Sequence, residues 1–426
     1  MHDVIYDLVG VGIGPFNLSL AALADGVPGL RTLFLDGKPE FDWHPGMMLD
    51  DARLQVPFLA DLVSLVDPTS RWSFLAYLRE RGRLFPFYFA EQWHPTRREY
   101  QDYCRWAASG LASCRFGQRV TEVEYAAATG LFTVTTQGGM RARTRNVVLG
   151  VGTEPVVPPA FAAVRAAAVW HSEDYLSVVD KLCRETDVTV VGSGQSGAEV
   201  VLDLLRRRGP EREPHLRWVT RTQALAPMEY SRLGLEHFTP DYTRYFHGLP
   251  EAERDRLVPS QWQLYKAASA ETLGELHEAL YQRTVAGLPA DLDIRPGTEV
   301  VRAAPGLELT VRHRATGVEE QLHTGAVVLA TGYAARRPAC LEPLAELIDW
   351  DPRGRYRVDL DHRVATATAG GLYVQNAELH THGVGTPDLG LGAHRAAVIL
   401  NSLAGREVHP LPQRTAWTTF GPVRPS

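Results

Sequence analysis

Tyr6-Asp7-Leu8-Val9-Gly10-Val11-Gly12-Ile13-Gly14-Pro15-Phe16 is the stretch that decides how the rest of the chain is read. Residues 6–9 predict a buried strand, and residues 16–23 carry apolar side chains at helical spacing. A second strand at 30–35 ends in Asp36. Strand, glycine turn, helix, strand and acid is the layout of a dinucleotide-binding unit. In that layout Gly10, Gly12 and Gly14 let the backbone approach a pyrophosphate, whose charge sits at the helix N-terminus, and Asp36 reaches a ribose. Pro15 stands where the usual fingerprint carries its third small residue.

A second unit of the same kind follows. Residues 188–191 read as a strand, and Gly192-Ser193-Gly194-Gln195-Ser196-Gly197-Ala198-Glu199 is a full G-x-G-x-x-G opening a helix to Leu205. The next strand, 216–220, ends in Arg221 where an NAD-type site carries an acid. An arginine there suits the 2′-phosphate of NADP, with a plain surface cation as the alternative. Asp36 closing the first unit and Arg221 closing the second suggest FAD first and NADPH second.

Between and beyond these units the chain is less regular. Residues 41–68 hold aromatic, Met, Gln and Pro side chains, too apolar for a surface loop, and are expected to line something buried. Residues 73–82 and 97–108 read as helices, and 120–124, 131–136 and 146–149 as strands. Prolines 155, 158 and 159 mark a crossing between domains. Residues 228–282 read as a largely helical insert, and 326–329, closed by Ala330-Thr331-Gly332-Tyr333, as a strand returning to the first sheet. The expected fold is α/β: two Rossmann-like dinucleotide-binding domains plus a small, mostly helical substrate-binding region. The FAD domain spans 1–160 and 325–426, the NADPH domain 165–227 and 286–324, and the helical region 228–285.

Composition excludes several other classes. A chain of 426 residues has room for two or three domains with real cores. Its 45% hydrophobic and 22% charged content is that of a globular protein. A net charge of −6 leaves no footprint for nucleic acid or an anionic membrane, and the cluster Arg206 to Arg208 is expected as solvated helix surface. No apolar run approaches the roughly 18 residues that span a bilayer, and no secretory signal is legible. Cys104, Cys114, Cys183 and Cys340 are scattered without a C-x-x-C pair, which argues against a disulfide framework, a zinc site or a dithiol centre and fits a reducing cytoplasm. His380 and His382 lack a matching carboxylate or cysteine set, so no metal is expected.

Both glycine motifs, the Ala-Thr-Gly-Tyr strand end and the tail Thr381 to Arg395 together resemble the flavin-dependent N-hydroxylating monooxygenases, the lysine and ornithine N-monooxygenases of hydroxamate siderophore synthesis. The resemblance runs through Gly10 to Leu18, Trp43 to Met48, Gln55 to Leu62, Gly192 to Glu199, Ala330 to Tyr333 and the tail. It implies FAD, NADPH and dioxygen as reactants, and a homotetramer. In this chemistry NADPH reduces the flavin, oxygen adds at C4a, and an amine lone pair attacks the distal oxygen of the hydroperoxide. By resemblance Trp43, His44, Met47, Met48 and Gln55 pack at the isoalloxazine, with Met47 and Gln55 closest to the chemistry. Gln195 and Ser196 hold NADPH, Pro387, Asp388 and Leu389 lie along the flavin, and Val120, Thr331 and Gly332 join the cofactor contacts. Leu235 and Gly390 fall at the substrate. The plain alternatives are core filling for Met47 and Met48 and a satisfied loop amide for Gln55.

One departure bears on the substrate. The amino-acid hydroxylases of this family grip the α-carboxylate with a lysine in Phe-Leu-Lys-Asp-Leu, and this chain reads Phe58-Leu59-Ala60-Asp61-Leu62. The ornithine enzymes add a pair of asparagines, and here asparagine is absent between Asn146 and Asn376. A buried carboxylate left without partners costs ~3–5 kcal/mol, two to three powers of ten in affinity. The chain is therefore expected to hydroxylate a decarboxylated diamine, with cadaverine preferred to putrescine because such hydroxylated diamines feed desferrioxamine-type siderophores. Asp61, Glu229, Glu236, Asp388 and the Gly390 backbone are candidates for its second ammonium. L-lysine is the first alternative, with Lys266 or Arg232 gripping its carboxylate. A Baeyer–Villiger enzyme is another: Trp170-His171-Ser172 echoes half of the F-x-G-x-x-x-H-S/T pattern, but Arg165 and Ala167 occupy its Phe and Gly positions. A non-catalytic FAD- and NADP-binding sensor is the third.

Overall fold

The computed structural model describes residues 4–164, 168–208 and 215–422. Arg165 and Ala167 lie outside the described residues. The opening strand, Ile5–Val11, is central to a seven-stranded sheet. Thr32–Leu35 pairs parallel with it on one side and Arg141–Leu149 on the other, with Gly10 opposite Phe34 and Val148. The antiparallel strands Leu131–Thr136 and Val120–Ala126 continue the sheet beyond Arg141–Leu149. Helix Pro15–Ala24 is buried over almost its whole length, which explains its largely apolar sequence of Leu and Ala. Gly12 has φ +88°, and a Cβ there would meet Gly150 O at 2.4 Å, so the turn admits glycine alone. Asn17 donates to Val11 O and Gly12 O and accepts from Gln375, tying helix, turn and tail together.

The second sheet runs Leu292–Arg295, His215–Val219, Asp187–Val191, Ala326–Leu329, Val169–His171, all parallel. The strand Ala326–Leu329, expected to return to the first sheet, instead pairs between Asp187–Val191 and Val169–His171. Strand pairing thus puts residues 326–329 with the second glycine motif, and the strand that rejoins the first sheet is Leu372–Val374, beside Arg141–Leu149. The reading failed because a parallel strand buried on both faces is apolar throughout and carries no mark of its sheet. Crossing back between the sheets, Thr153–Pro155 and Tyr333–Ala335 form a two-stranded antiparallel link, where the proline cluster was read as a crossing.

Helix Gln195–Arg207 follows the second turn. At its end Arg206 and Arg207 face solvent, but Arg208 is buried and donates to Leu182 O and Glu185 O. The expectation of solvated surface is corrected for that residue: three consecutive arginines leaving a helix cannot share one face. The insert contains helices Pro240–His247, Glu251–Ser260 and Ala270–Arg283. Ala270–Arg283 packs on Gln195–Arg207, while the first two pack against the tail helix Leu379–His382. Among the described residues no helix is long and apolar enough to cross a membrane. None of the four cysteines forms a disulfide.

Candidate active site

Two glycine turns feed helices whose N-termini lack a side-chain cap, at Gly14 and at Gly194. The first-turn N–H groups of such helices need an acceptor, and a phosphate is the fitting one. Beyond the first turn, Asp36 accepts from Ile13 N at 2.8 Å and from Lys38 N at 2.8 Å, one bond on each oxygen. A carboxylate has about four lone-pair positions, so both oxygens retain capacity for ribose hydroxyls. Gln118 N donates to Asp36 O, which brings the start of strand Val120–Ala126 alongside. Gly10, Gly12, Gly14, Pro15, Asp36 and Val120 form this corner, apart from the main cavity. Gly197 is buried in its helix against Gly192 O.

The main cavity, about 2030 Å³, lies between the two sheets and the insert. A single small-molecule site occupies roughly 300–1,000 Å³. Gly192, Gly194, Gln195, Ser196 and Arg221 line one wall. Lys266 joins them, and burial first, then the neighbouring Arg221, holds its ammonium below the ordinary lysine pKa. Two cations beside a phosphate-ready turn fit a dinucleotide with an extra phosphate, and they commit Lys266 to that end of the cavity.

The opposite wall is the irregular stretch read as lining something buried. Trp43, His44, Met47 and Gln55 face the cavity there, as do Thr331 and Gly332 from the strand end. His44 has a left-handed backbone, and its ring sits between Trp43 and Tyr333. Burial, then the charges of Arg97 and Lys38, push its pKa down to about 4, so the imidazole is neutral at working pH. The loop fits tightly against the second unit: a Cβ on Gly46 would meet Glu173 O at 1.7 Å. Met47 is buried in the second unit's own core and also lines the cavity. The Gln55 amide is satisfied across the cavity: its Nε2 donates to Gln195 Oε1 at 3.2 Å.

A corner of the same cavity gathers Ala60, Gly390 and Asp388. A Cβ on Gly390 would lie 3.9 Å from the Ala60 Cβ and 2.7 Å from Asp388 Oδ1. Asp388 Oδ1 accepts from Gly390 N at 2.7 Å, and burial pushes its carboxyl up to about 6. Tyr230 lies near: it donates to Gln55 O at 2.8 Å, and burial, then Asp388, push its phenol up to about 12. Leu235, Pro387 and Leu389 also line the cavity.

The structure separates the four acids that the sequence left unranked. Asp61 accepts from Val63 N, Ser64 N, Ser64 Oγ and Phe74 N, a full complement that pins its own loop. Glu236 is taken by Trp417 N, Thr418 N and the Thr418 hydroxyl, and Glu229 by Ser231 N. Of the four, Asp388 alone lines the cavity. Residues that sequence reading missed include Tyr230, Arg97 and His171, whose Nε2 lies 3.2 Å from Gly332 O. His171 had a signal in its His-Ser pair. Tyr230 and Arg97 had none, because ordinary Tyr and Arg residues gain meaning only from what the fold sets beside them.

Known proteins share this sequence pattern and this fold. Residues 4–335 match the family described as L-lysine 6-monooxygenase/L-ornithine 5-monooxygenase. A putrescine N-hydroxylase from Shewanella oneidensis is 39% identical over 428 residues, covering 98% of this chain and 84% of that protein. The crystal structure of an FAD-bound cadaverine monooxygenase of the desferrioxamine pathway, from Erwinia amylovora, superposes with TM-score 0.95 at 38% identity, covering 99% of this chain and 100% of that one. An ornithine N-hydroxylase from Kutzneria sp. 744, solved with reduced FAD, NADP+ and L-ornithine, gives TM-score 0.84 at 30% identity over 94% of this chain and 99% of that one. With a family match over most of its length and relatives this similar end to end, the chain belongs to the lysine/ornithine N-monooxygenase family.

Proposed function

We propose that the protein uses FAD and NADPH to hydroxylate one primary amine of an aliphatic diamine, cadaverine before putrescine, for hydroxamate siderophore assembly. FAD is assigned to the first turn through Gly10, Gly12, Gly14, Pro15, Asp36 and Val120, reaching Trp43, His44, Met47 and Gln55. NADPH is assigned to Gly192, Gly194, Gln195, Ser196, Gly197 and Arg221. When bound, the reduced flavin and dioxygen supply the electrophilic oxygen; the protein's residues position the amine and keep water out.

The observation that carries the diamine reading is the corner of Ala60, Gly390 and Asp388. A methyl group stands where an amino-acid hydroxylase needs a cation, and an acid stands across Gly390 from it. That arrangement repels an α-carboxylate and attracts an ammonium. At the other end the reacting amine must be neutral, against an ordinary pKa of about 10.4, and a dry apolar wall lowers that value. Cadaverine is placed ahead of putrescine in the proposal on the likeness to the Erwinia amylovora enzyme. Product analysis across cadaverine, putrescine, L-lysine and L-ornithine tests the reading. Hydroxylated diamine should dominate; a kcat/KM for lysine equal to or above that for both diamines rejects it, and would direct attention to Arg232, exposed at the cavity mouth.

The NADPH assignment has its own test. Arg221→Ala removes a charged hydrogen bond worth about 1.5–3 kcal/mol, so KM for NADPH is expected to rise about ten- to hundredfold. KM for NADH, which has no 2′-phosphate, should change little. Equal effects on the two nucleotides would make Arg221 a plain surface cation.

A further inference from the structure

Glu199 is 7% exposed, on the helix that the second glycine turn opens. A buried carboxylate is costly unless it is paired and hydrogen-bonded. Its partner comes from the flavin side of the cavity: Arg97 donates to Glu199 through both terminal nitrogens, at 2.8 and 2.7 Å. Such a fork fixes orientation as well as distance. Arg97 Nη1 also donates to Met47 O at 3.0 Å, holding the turn that carries Met47. On its other side Glu199 Oε1 accepts from Gln195 Nε2 at 2.8 Å, and that amide also donates to Thr272. The remaining Gln195 oxygen accepts from Gln55 and from Ser269 N. The bonds therefore run without a gap from Met47, through Arg97, Glu199 and Gln195, to Gln55. Both ends lie on the wall assigned to the flavin, and the middle lies on the turn assigned to NADPH.

We propose that Glu199, acting through Arg97 and Gln195, is a positioning residue for flavin reduction: it sets the nucleotide turn against the flavin-side loop at the separation hydride transfer requires. The step concerned moves a hydride, with its electron pair, from the dihydronicotinamide, which is oxidised to the pyridinium, onto the flavin, which is reduced. The proposal rests on the assignment of NADPH to the Gln195 turn and is independent of the amine. A misplacement of about 1 Å between bound reactants costs on the order of 10²-fold in rate.

The experiment compares wild type with Glu199→Gln, Arg97→Lys and the double variant, each FAD-loaded. Three quantities are measured: NADP+ affinity by titration calorimetry, amine-free flavin reduction at saturating NADPH, and reaction of dithionite-reduced enzyme with oxygen. For Glu199→Gln, reduction should slow about ten- to hundredfold. NADP+ affinity should move less than about threefold, and the oxygen reaction should be unchanged. Because the two residues act as one unit, the double variant should be no slower than the slower single variant. Arg97→Lys keeps the buried charge and gives the same answer if Glu199→Gln fails to fold. Wild type that binds no NADP+ overturns the nucleotide assignment itself. Wild type that binds it, with reduction in both variants within about twofold of normal, overturns the positioning role, as do additive losses in the double variant. Equal slowing of both half-reactions, or loss of FAD, assigns the pair to fold maintenance and also overturns the proposal.

Discussion

Asp388→Asn is expected to lower kcat/KM for cadaverine and putrescine by about two to three powers of ten, the cost of leaving a desolvated ammonium without its partner. Amine-free reduction of the flavin by NADPH should change far less, because that step does not involve the amine. The pH dependence gives a second signature. Burial raises the Asp388 carboxyl to about 6, so the group is neutral below that pH and attracts an ammonium only above it. The reacting amine must also lose its proton, with an ordinary pKa near 10.4. Log kcat/KM for a diamine should thus climb with a slope of about two below pH 6 and about one above it. The asparagine variant should show the single slope throughout. Unfolding is not a competing explanation for the loss. An acid whose pKa is raised in the folded state ionises more easily when unfolded, so its contribution to stability falls as pH rises from about 4 through 6. Removing it should leave Tm at pH 8 unchanged or higher. A variant retaining diamine kcat/KM within about threefold of wild type would move the second ammonium elsewhere in the cavity.

The parts of this molecule that were legible in its sequence are those specified by local geometry. Gly12 and the uncapped helix after Gly14 are such features, since the turn forbids a side chain and the helix end requires an anion. The second turn at Gly192 to Gly197 was readable for the same reason. Pairing between distant strands was not: the four apolar residues of Ala326–Leu329 satisfy either sheet, and only assembly assigns them to the second. The substrate corner was half legible. Ala60 stood out because a lysine was expected there, but the choice among Asp61, Glu229, Glu236 and Asp388 depended on which of them the fold brings to the cavity wall. Asp61 and Glu229 bind backbone two or three residues on, a use of Asp and Glu that is common near turns and carries no sign of its own in sequence, whereas Glu236 is taken by Trp417 and Thr418 from the far end of the chain. The Arg97–Glu199 fork was invisible, its members standing 102 positions apart in the chain.

Ala60→Lys probes the other half of that corner, and the outcome depends on Asp388. Lysine at this position would restore the Phe-Leu-Lys-Asp-Leu pattern, and by sequence alone it should convert the enzyme to an L-lysine hydroxylase. The geometry predicts otherwise. Ala60 is 6% exposed and packed toward Gly390, with Asp388 Oδ1 beside it, so the new ammonium would be neutralised by Asp388 before any substrate arrived. A diamine would then meet a filled corner and a partner already paired; its kcat/KM should fall about two to three powers of ten. L-lysine should gain little, because the carboxylate would have to displace Asp388 from the new cation. Only Ala60→Lys combined with Asp388→Ser leaves the cation free, and in that double variant the ratio of kcat/KM for lysine over cadaverine should rise by about two powers of ten or more above wild type. On the proposed diamine reading, specificity is a difference between two charges: one that is absent at 60 and one that is present at 388. Neither substitution alone should exchange the substrate, and an Ala60→Lys single variant that turns over lysine efficiently would mean that Asp388 does not face the amine at all.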